Sequence, residues 1–251
     1  MKRNNVTNPF WQDKHTTYKW RIAFHEAGHA AGIHLNNKAR QLPPVFFKII
    51  FKDINSIMEA DRMAYQAIND DYIARVEGGR LIELSPDTIG SMASPVKDYI
   101  IAFEADIVNL LIGPLAEARY VAHIDDEPFN HKLVNVKALK NYGGDSDLAL
   151  ANKYLQSFFA EKLQEENKLN ELFTIAFAFI NDDANWAAIA DLADYILSCQ
   201  KKTIYCEEII TTLDQSISHF QRWVAKEIGS ENHPIYCPAN ALFHSHAQHY
   251  S

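Results

Sequence analysis

The chain has 251 residues, of which 47% are hydrophobic, and a formal net charge of −8 with a sequence pI near 5.7. This length and composition are typical of a globular protein with a substantial hydrophobic core. The acidic balance provides no basic field for phosphate groups, so it argues against binding to nucleic acid or to anionic lipid.

The compartment is indicated by the absence of targeting and disulfide patterns. The N-terminal residues are polar and no apolar stretch follows them, unlike a secretory signal. The most apolar windows, residues 99–112 and 172–180, are too short or too interrupted by charge to span a bilayer. The chain has three widely spaced cysteines, Cys199, Cys206 and Cys237. An odd number without a CxxC pair favours reduced thiols, so we expect a cytoplasmic protein without a membrane span.

The first predicted element is a helix over residues 17–35, where small and apolar side chains recur at helical spacing and Thr16 or Thr17 can cap the start. Pro43 and Pro44 then introduce residues 45–51, a β-branched and aromatic run that predicts a strand. Residues 80–84, entered through two glycines, are a candidate second strand. These patterns predict a small sheet of two or three strands.

The remainder of the chain has helical periodicity. A helix starts at residue 95, and Gly113 and Pro114 are expected to kink or restart it. Residues 125–142 form a largely polar connection. A third helix is expected to begin near residue 144, with Asp145 or Ser146 as its cap, and to continue to Leu163. Further helices are predicted over residues 169–180, 185–199 and 206–228.

The segment His25-Glu26-Ala27-Gly28-His29 carries the chemistry. Histidines four residues apart lie on one face of a helix, so both imidazoles can reach one zinc ion while Glu26 points toward the open coordination position. A carboxylate there can take a proton from a water molecule that zinc has acidified and return it to the leaving amine. The alternative is an ordinary helix whose histidines align by chance. Gly28 argues against it, because glycine inside a helix costs about 1 kcal/mol and indicates a close approach.

Four segments resemble, in order, the peptidase domain of the FtsH-type proteases, the membrane-bound AAA proteases. Residues 24–31, FHEAGHAA, resemble its zinc helix with the HEAGHA motif, and residues 44–50, PVFFKII, resemble the following strand. Residues 112–118, IGPLAEA, resemble the GGRxAEE segment, and residues 143–148, GGDSDL, resemble the GASNDL segment. Together with the closing helices, the similarity covers most of residues 16–215.

The resemblance implies a mainly α-helical α+β fold of the zincin-like class, with a zinc helix, a small sheet and a C-terminal helical bundle. It also implies a zinc metallopeptidase in which Asp147 is the third metal ligand, with Asp145 as the competitor for that role and otherwise an N-cap. Glu117 matches a carboxylate near the site that can orient a ligating histidine. An exposed helical charge is the alternative for Glu117.

The chain departs from the family in several places. Ile112, Pro114 and Ala118 replace a glycine, an arginine and a glutamate of the GGRxAEE segment, and the sequence contains no P-loop GxxxxGK[ST]. The distance from His29 to Asp147 is longer than usual for the family, which predicts insertions near residues 53–78 and 125–142. We therefore expect a stand-alone peptidase that cuts flexible or unfolded polypeptides without ATP, or that receives substrates from a separate ATP-driven unfoldase.

One strand is a candidate for aligning an extended substrate by β-augmentation. Its residues are Val45, Phe46, Phe47, Lys48 and Ile49. A simple buried strand explains the same apolar run equally well.

The expected domain layout is an N-terminal extension (1–15), a peptidase domain (16–228, helical from about 165) and a C-terminal tail (229–251). The tail contains His244, His246 and His249, which either are solvated or bind metal adventitiously. His123 and His131 are alternative ligands if Asp147 is not one, and otherwise loop residues. Two other functions stay open: a catalytically degenerate binding or regulatory module, and a structural zinc protein with a fourth protein ligand.

Overall fold

The computed structural model describes residues 9–52, 74–83, 97–199 and 201–228, with side chains described from Tyr18 onward. The architecture is α+β and mainly helical, with a small antiparallel sheet of three strands. The longer helices are α1 (Pro9–Ala31), α2 (Lys97–Ile124), α3 (Asp145–Phe158), α4 (Lys162–Asn181), α5 (Asp183–Ser198) and α6 (Cys206–Ile228). The strands are β1 (Phe47–Phe51), β2 (Ala74–Gly78) and β3 (Thr203–Tyr205).

Helix α1 carries the predicted zinc helix but begins earlier than expected. It starts at Pro9, inside the predicted N-terminal extension, so the expected caps Thr16 and Thr17 are wrong. Proline suits the first turn of a helix because the amide it lacks would have no partner there. At its other end α1 continues into a π-helical turn, Gly32–Asn36, and a last α-helical turn, Asn37–Ala39.

Helix α2 is continuous across Gly113 and Pro114, so the predicted restart there is wrong, and the kink stays a prediction. Proline removes one helical hydrogen bond at a cost of about 3 kcal/mol, but the surrounding residues are fully buried and hold the helix together. Helix α1 packs directly on this turn. A Cβ at Gly28 would lie 2.7 Å from Ala116 Cβ and 2.9 Å from the carbonyl oxygen of Ile112, so the predicted close approach at Gly28 is to α2.

The continuity of α2 also makes its apolar stretch longer than the windows considered from the sequence. Within the described residues, α2 is the one helix long and apolar enough to cross a membrane by length and composition. Its most apolar window is 67% buried inside the protein, and the core helix of a globular protein meets the same criteria. Helix α2 contributes many of the fully buried core side chains, including Ile107, Leu111 and Leu115.

The sheet has the order β2-β1-β3, which corrects two predictions. The second strand is Ala74–Gly78 rather than residues 80–84. Gly78 and Gly79 have positive φ and end the strand instead of starting one, and the amides of Leu81 and Ile82 are bonded to Asp106 of α2 instead of to a strand. Strand β1 is the central strand, paired on both sides, so its backbone is not free to receive a substrate.

The helices from α3 onward lie close to their predicted positions, although α3 ends at Phe158 instead of Leu163. The predicted polar connection contains a 3-10 helix, Val136–Tyr142, capped by Asn135. Helix α5 packs between α1 and α6. Cys199 and Cys206 are free thiols. Cys237 and the predicted histidine-containing tail lie outside the described residues.

Candidate metal centre

Two imidazoles of α1 converge on one point with a carboxylate of α3. The Nε2 atoms of His25 and His29 are 3.1 Å apart. Asp147, in the first turn of α3, places Oδ2 3.4 Å from Nε2 of His25 and Oδ1 3.4 Å from Nε2 of His29. The N-terminus of α3 favours the ionised carboxylate at this position.

The three side chains are close enough to share a metal ion. Ligand atoms bound at 2.0–2.1 Å in a tetrahedron lie about 3.3 Å from one another. The two Nε2 atoms are 3.1 Å apart, and each lies 3.4 Å from a different oxygen of Asp147. With one ligand atom taken from each residue, all three atoms lie within 4.8 Å of one another. Asp147 Oδ2 is buried without a hydrogen-bond partner, which is costly for a carboxylate oxygen unless a cation offsets it. His25, His29 and Asp147 can therefore hold a metal ion, and they are the one such group among the described residues.

The opposite nitrogen of each histidine is fixed by an oxygen from α2. His25 Nδ1 lies 3.1 Å from Glu117 Oε2, and His29 Nδ1 lies 2.9 Å from the backbone carbonyl oxygen of Asn109. A proton on each Nδ1 leaves the Nε2 lone pairs directed at the shared point. Glu117 is itself held by Arg21, whose Nε donates to Glu117 Oε1 at 2.9 Å. Arg21 lies one helical turn before His25, so α1 supplies both a ligand and the cation that secures its partner.

Two glycines leave the space that the rings of His25 and His29 occupy. A Cβ at Gly113 would fall 2.3 Å from Nε2 of His29. A Cβ at Gly143, just before α3, would meet the His25 ring at 3.1 Å and Glu117 Oε2 at 3.2 Å. Gly143 also has a φ of 70° and accordingly adopts the left-handed conformation that caps the preceding 3-10 helix. Both segments belong to the motifs that resemble the FtsH-type pattern.

The electrostatics of the centre favour positive charge. Burial lowers the pKa of His25, but the Asp147 and Glu117 carboxylates outweigh burial and raise this pKa well above its ordinary value. The pKa of His29 is also raised, with burial opposed mainly by Asp147. For Asp147, burial acts upward, but His29 and His25 hold the pKa well below its usual range. A divalent cation can replace the protons that the imidazoles otherwise retain.

Glu26 has the features of a proton acceptor beside this centre. Its side chain is buried, and Oε2 has no hydrogen-bond partner. Burial raises the pKa of Glu26, while the charges of His25 and His29 act in the opposite direction. The backbone amide of Val76 in β2 also acts to lower this pKa. Glu26 is thus next to the sheet, and its Oε2 atom has no partner.

A cleft of about 1540 Å³ opens onto the centre. It exceeds the roughly 300–1,000 Å³ of a typical small-molecule site. Of the five residues predicted as a substrate strand, Val45 and Phe46 line the cleft, and Phe46 is 62% exposed. Phe47 and Ile49 belong to the core instead, and Lys48 pairs with Glu77 at 2.9 Å. All of β2 lines the cleft, and it forms the free edge of the sheet within the described part of the chain.

The alternative ligands lie elsewhere. Asp145 is the first residue of α3 and is exposed. The expectation that it caps the helix is wrong, because Gly144 occupies the N-cap position and no side chain forms a capping hydrogen bond. His131 stacks on Phe177 with ring centroids 3.7 Å apart, and neither His131 nor His123 is a member of the metal-binding group.

Several site residues were not identified from the sequence, namely Arg21, Val76 and Asn109. Arg21 had a usable signal, because it lies four residues before His25 on the same helix face. Asn109 had another, as a polar residue inside an apolar helical run. Comparison with protein-family models found no match to this chain, and comparison with curated proteins found none either.

Proposed function

We propose that the chain is a zinc metallopeptidase of zincin-like fold, similar to the peptidase domain of the FtsH-type proteases. It hydrolyses peptide bonds of flexible or unfolded polypeptides without ATP. One observation carries the proposal: the buried Glu26 carboxylate, with an unpartnered oxygen, lies in the same cleft as the convergent group of His25, His29 and Asp147.

In the proposed reaction, three residues bind the metal and Glu26 transfers the proton. His25, His29 and Asp147 would hold the zinc ion, which when bound would supply Lewis-acid chemistry for the substrate carbonyl and for the attacking water. Glu26 accepts a proton from the attacking water through Oε2 and delivers it to the leaving amine nitrogen as the C–N bond breaks. The raised pKa of Glu26 suits this exchange, since it brings the carboxyl group closer to neutral pH.

The edge of the sheet supports a polypeptide substrate. Strand β2 is at the edge of the described sheet, all five of its residues line the cleft, and the Val76 amide acts on the Glu26 carboxyl group. An extended chain can add to such an edge by β-augmentation. Strand β2 therefore takes the role that the sequence assigned to residues 45–49. A cytoplasmic location, and a separate ATP-driven unfoldase for folded substrates, are further parts of the proposal.

The decisive comparison is between the parent protein and Glu26→Gln. Both are expected to retain zinc, because Glu26 is not a member of the ligand group. Cleavage of an unstructured polypeptide such as casein, without ATP, should fall by at least about 100-fold in Glu26→Gln, the range for loss of a general base. Glu83→Gln is the matched control, since Glu83 lines the same cleft, is exposed and lies outside β2. It should cleave like the parent.

Two other outcomes correspond to the alternative functions. A zinc-loaded parent that binds unfolded polypeptide without cleaving it would indicate a catalytically degenerate binding module. A parent whose metal resists chelators, and which neither cleaves nor binds substrate, would indicate a structural zinc protein. The latter needs a fourth protein ligand, whereas the metal-binding group within the described residues has three members.

A further inference from the structure

Three asparagines form a buried amide cluster behind the metal centre. Asn36 is the last residue of the π-helical turn after α1, Asn37 follows it, and Asn109 lies in the middle of α2. All three are at most 7% exposed. Asn36 Nδ2 donates to Asn109 Oδ1 at 2.9 Å, and Asn109 Nδ2 donates to Asn37 Oδ1 at 3.0 Å. Arg40 extends the chain of bonds by donating from Nε to Asn36 Oδ1 at 3.0 Å.

The cluster is connected to a metal ligand through one atom. The backbone carbonyl of Asn109 accepts a hydrogen bond from Nδ1 of His29 at 2.9 Å. The side chain of Asn109 is therefore clamped by Asn36 and Asn37, while its carbonyl sets the tautomer and the ring orientation of His29. This turn of α2 is weakened by Pro114, which removes the amide that would bond to the carbonyl of Leu110.

The close fit leaves the cluster little freedom. A Cβ at Gly32, in the π-helical turn, would lie 3.0 Å from Asn109 Oδ1 and 3.2 Å from Asn109 Cα. Glycine at this position thus lets the end of α1 approach the backbone of α2. The π-helical turn adds a residue to the helical register, and Asn36 and Asn37 at its end both bond to Asn109.

We propose that Asn109 is a positioning residue of the metal centre: the amide cluster locks its carbonyl where it holds His29 Nδ1, and so keeps His29 Nε2 directed at the metal. This inference rests on the proposed metal-dependent function. It assigns to Asn36 and Asn37 the role of holding Asn109, and it gives a reason for the π-helical turn immediately after the ligand-bearing helix.

The composition of the cluster supports this role over simple stabilisation. Asn37 Nδ2 is buried without a hydrogen-bond partner, so the cluster is incompletely satisfied. Well-packed apolar side chains at such positions are often as stabilising as polar ones or more so. Apolar side chains do not form directional hydrogen bonds that fix the Asn109 segment in place. His29, on the facing helix, needs this segment to be fixed if it is to bind a metal.

The test measures zinc affinity by competition with a chromophoric chelator, and the d–d absorption spectrum of the cobalt-substituted protein. In Asn109→Ala, zinc affinity should fall tenfold or more, the range for loss of an outer-shell partner, and the cobalt spectrum should change because His29 is reoriented. Asn37→Ala should weaken zinc less and alter the same spectrum. Asn37→Ala removes a single hydrogen bond to Asn109. It is therefore the variant to measure if Asn109→Ala does not fold.

Ser216→Ala is the matched control. Ser216 of α6 is likewise buried, at 6% exposed, and acts to lower the pKa of Asp191 in α5. It should lower stability without moving zinc affinity or the cobalt spectrum. Zinc affinity within twofold of the parent in Asn109→Ala, or in Asn37→Ala if the former is unfolded, would overturn the positioning role while leaving the proposed function intact. A parent that binds neither metal would overturn both.

Discussion

The imidazole of His29 lies directly on the backbone of Gly113, so closely that a Cβ at Gly113 would fall 2.3 Å from His29 Nε2. The two residues belong to α1 and α2, the two elements that pack most extensively on each other in the described structure. His29 Nε2 therefore occupies space that only a glycine leaves open.

Gly113→Ala is expected to abolish tight zinc binding. The added methyl group must displace the His29 ring, because helix packing fixes the backbone on the other side. Intrinsic helix propensity favours alanine over glycine by about 1 kcal/mol, so the substitution should not unfold the helix. Zinc content after dialysis and far-UV circular dichroism together test this.

Gly28→Ala is the control. Its added methyl group contacts Ala116 rather than a histidine, so this variant should lower thermal stability more than it lowers zinc affinity. Full zinc content in Gly113→Ala would contradict the described geometry.

The effect of the Val76 amide on Glu26 gives a separate prediction. Val76→Pro removes the backbone amide that acts to lower the pKa of the Glu26 carboxyl group, and proline is tolerated in edge strands where the amide points away from the sheet. The turnover number should fall roughly tenfold while zinc remains bound, since a donor to a carboxylate is worth on the order of 1.5 kcal/mol. Val76→Ala keeps the amide and should have near-parental turnover. Equal turnover for the proline and alanine variants would show that the amide has no effect through Glu26.

Asp106 should make the stability of the protein depend on pH. Burial raises its pKa to about 6, against a value of 3.8 for a free aspartate, although the amides of Leu81 and Ile82 and the hydroxyl of Tyr154 act in the opposite direction. Between these two values the folded chain keeps a proton that the unfolded chain has lost. The contribution of Asp106 therefore lowers stability as pH rises from about 4 to about 6, by roughly 2–3 kcal/mol in total.

Asp106→Asn should remove this contribution. Urea unfolding at pH 4 and pH 7 should show the variant gaining stability relative to the parent at the higher pH. Tyr154→Phe is the control, since it removes one hydrogen bond to Asp106 and leaves the carboxyl group in place, so the pH-dependent fall should persist. A difference between Asp106→Asn and the parent that does not change with pH would contradict the raised pKa.

Local pattern predicted much of what positions the site. Helical spacing located the segment that carries His25, Glu26 and His29, and the start of the helix that carries Asp147. These features depend on residues within one or two turns of each other, where periodicity and turn chemistry decide the structure. The identity of Asp147 as the partner of the histidines came only from the resemblance to a family motif, because nothing local connects positions 29 and 147.

The errors about caps and helix ends are local, whereas those about α2 and the sheet concern long-range contacts. Gly113 and Pro114 do not interrupt α2, because burial against α1 holds the helix across the proline. Residues 45–49 do not form an edge, because β3, more than 150 residues later, pairs with β1. The asparagines at 36 and 109 meet only in the folded chain. Such pairings are set by tertiary packing, which a single sequence does not encode in its local periodicity.

The most direct test of a metal site built from α1 and α3 is the zinc content of Asp147→Ala beside that of Asp145→Ala, each purified without added metal and compared with the parent. Asp147 faces the two histidines at 3.4 Å and Asp145 is exposed two residues away, so the pair forms a matched test within one helical turn. We predict stoichiometric zinc in the parent and in Asp145→Ala, and a loss of most of it in Asp147→Ala. A parent without zinc, or an Asp147→Ala protein that holds as much as the parent, would contradict the account.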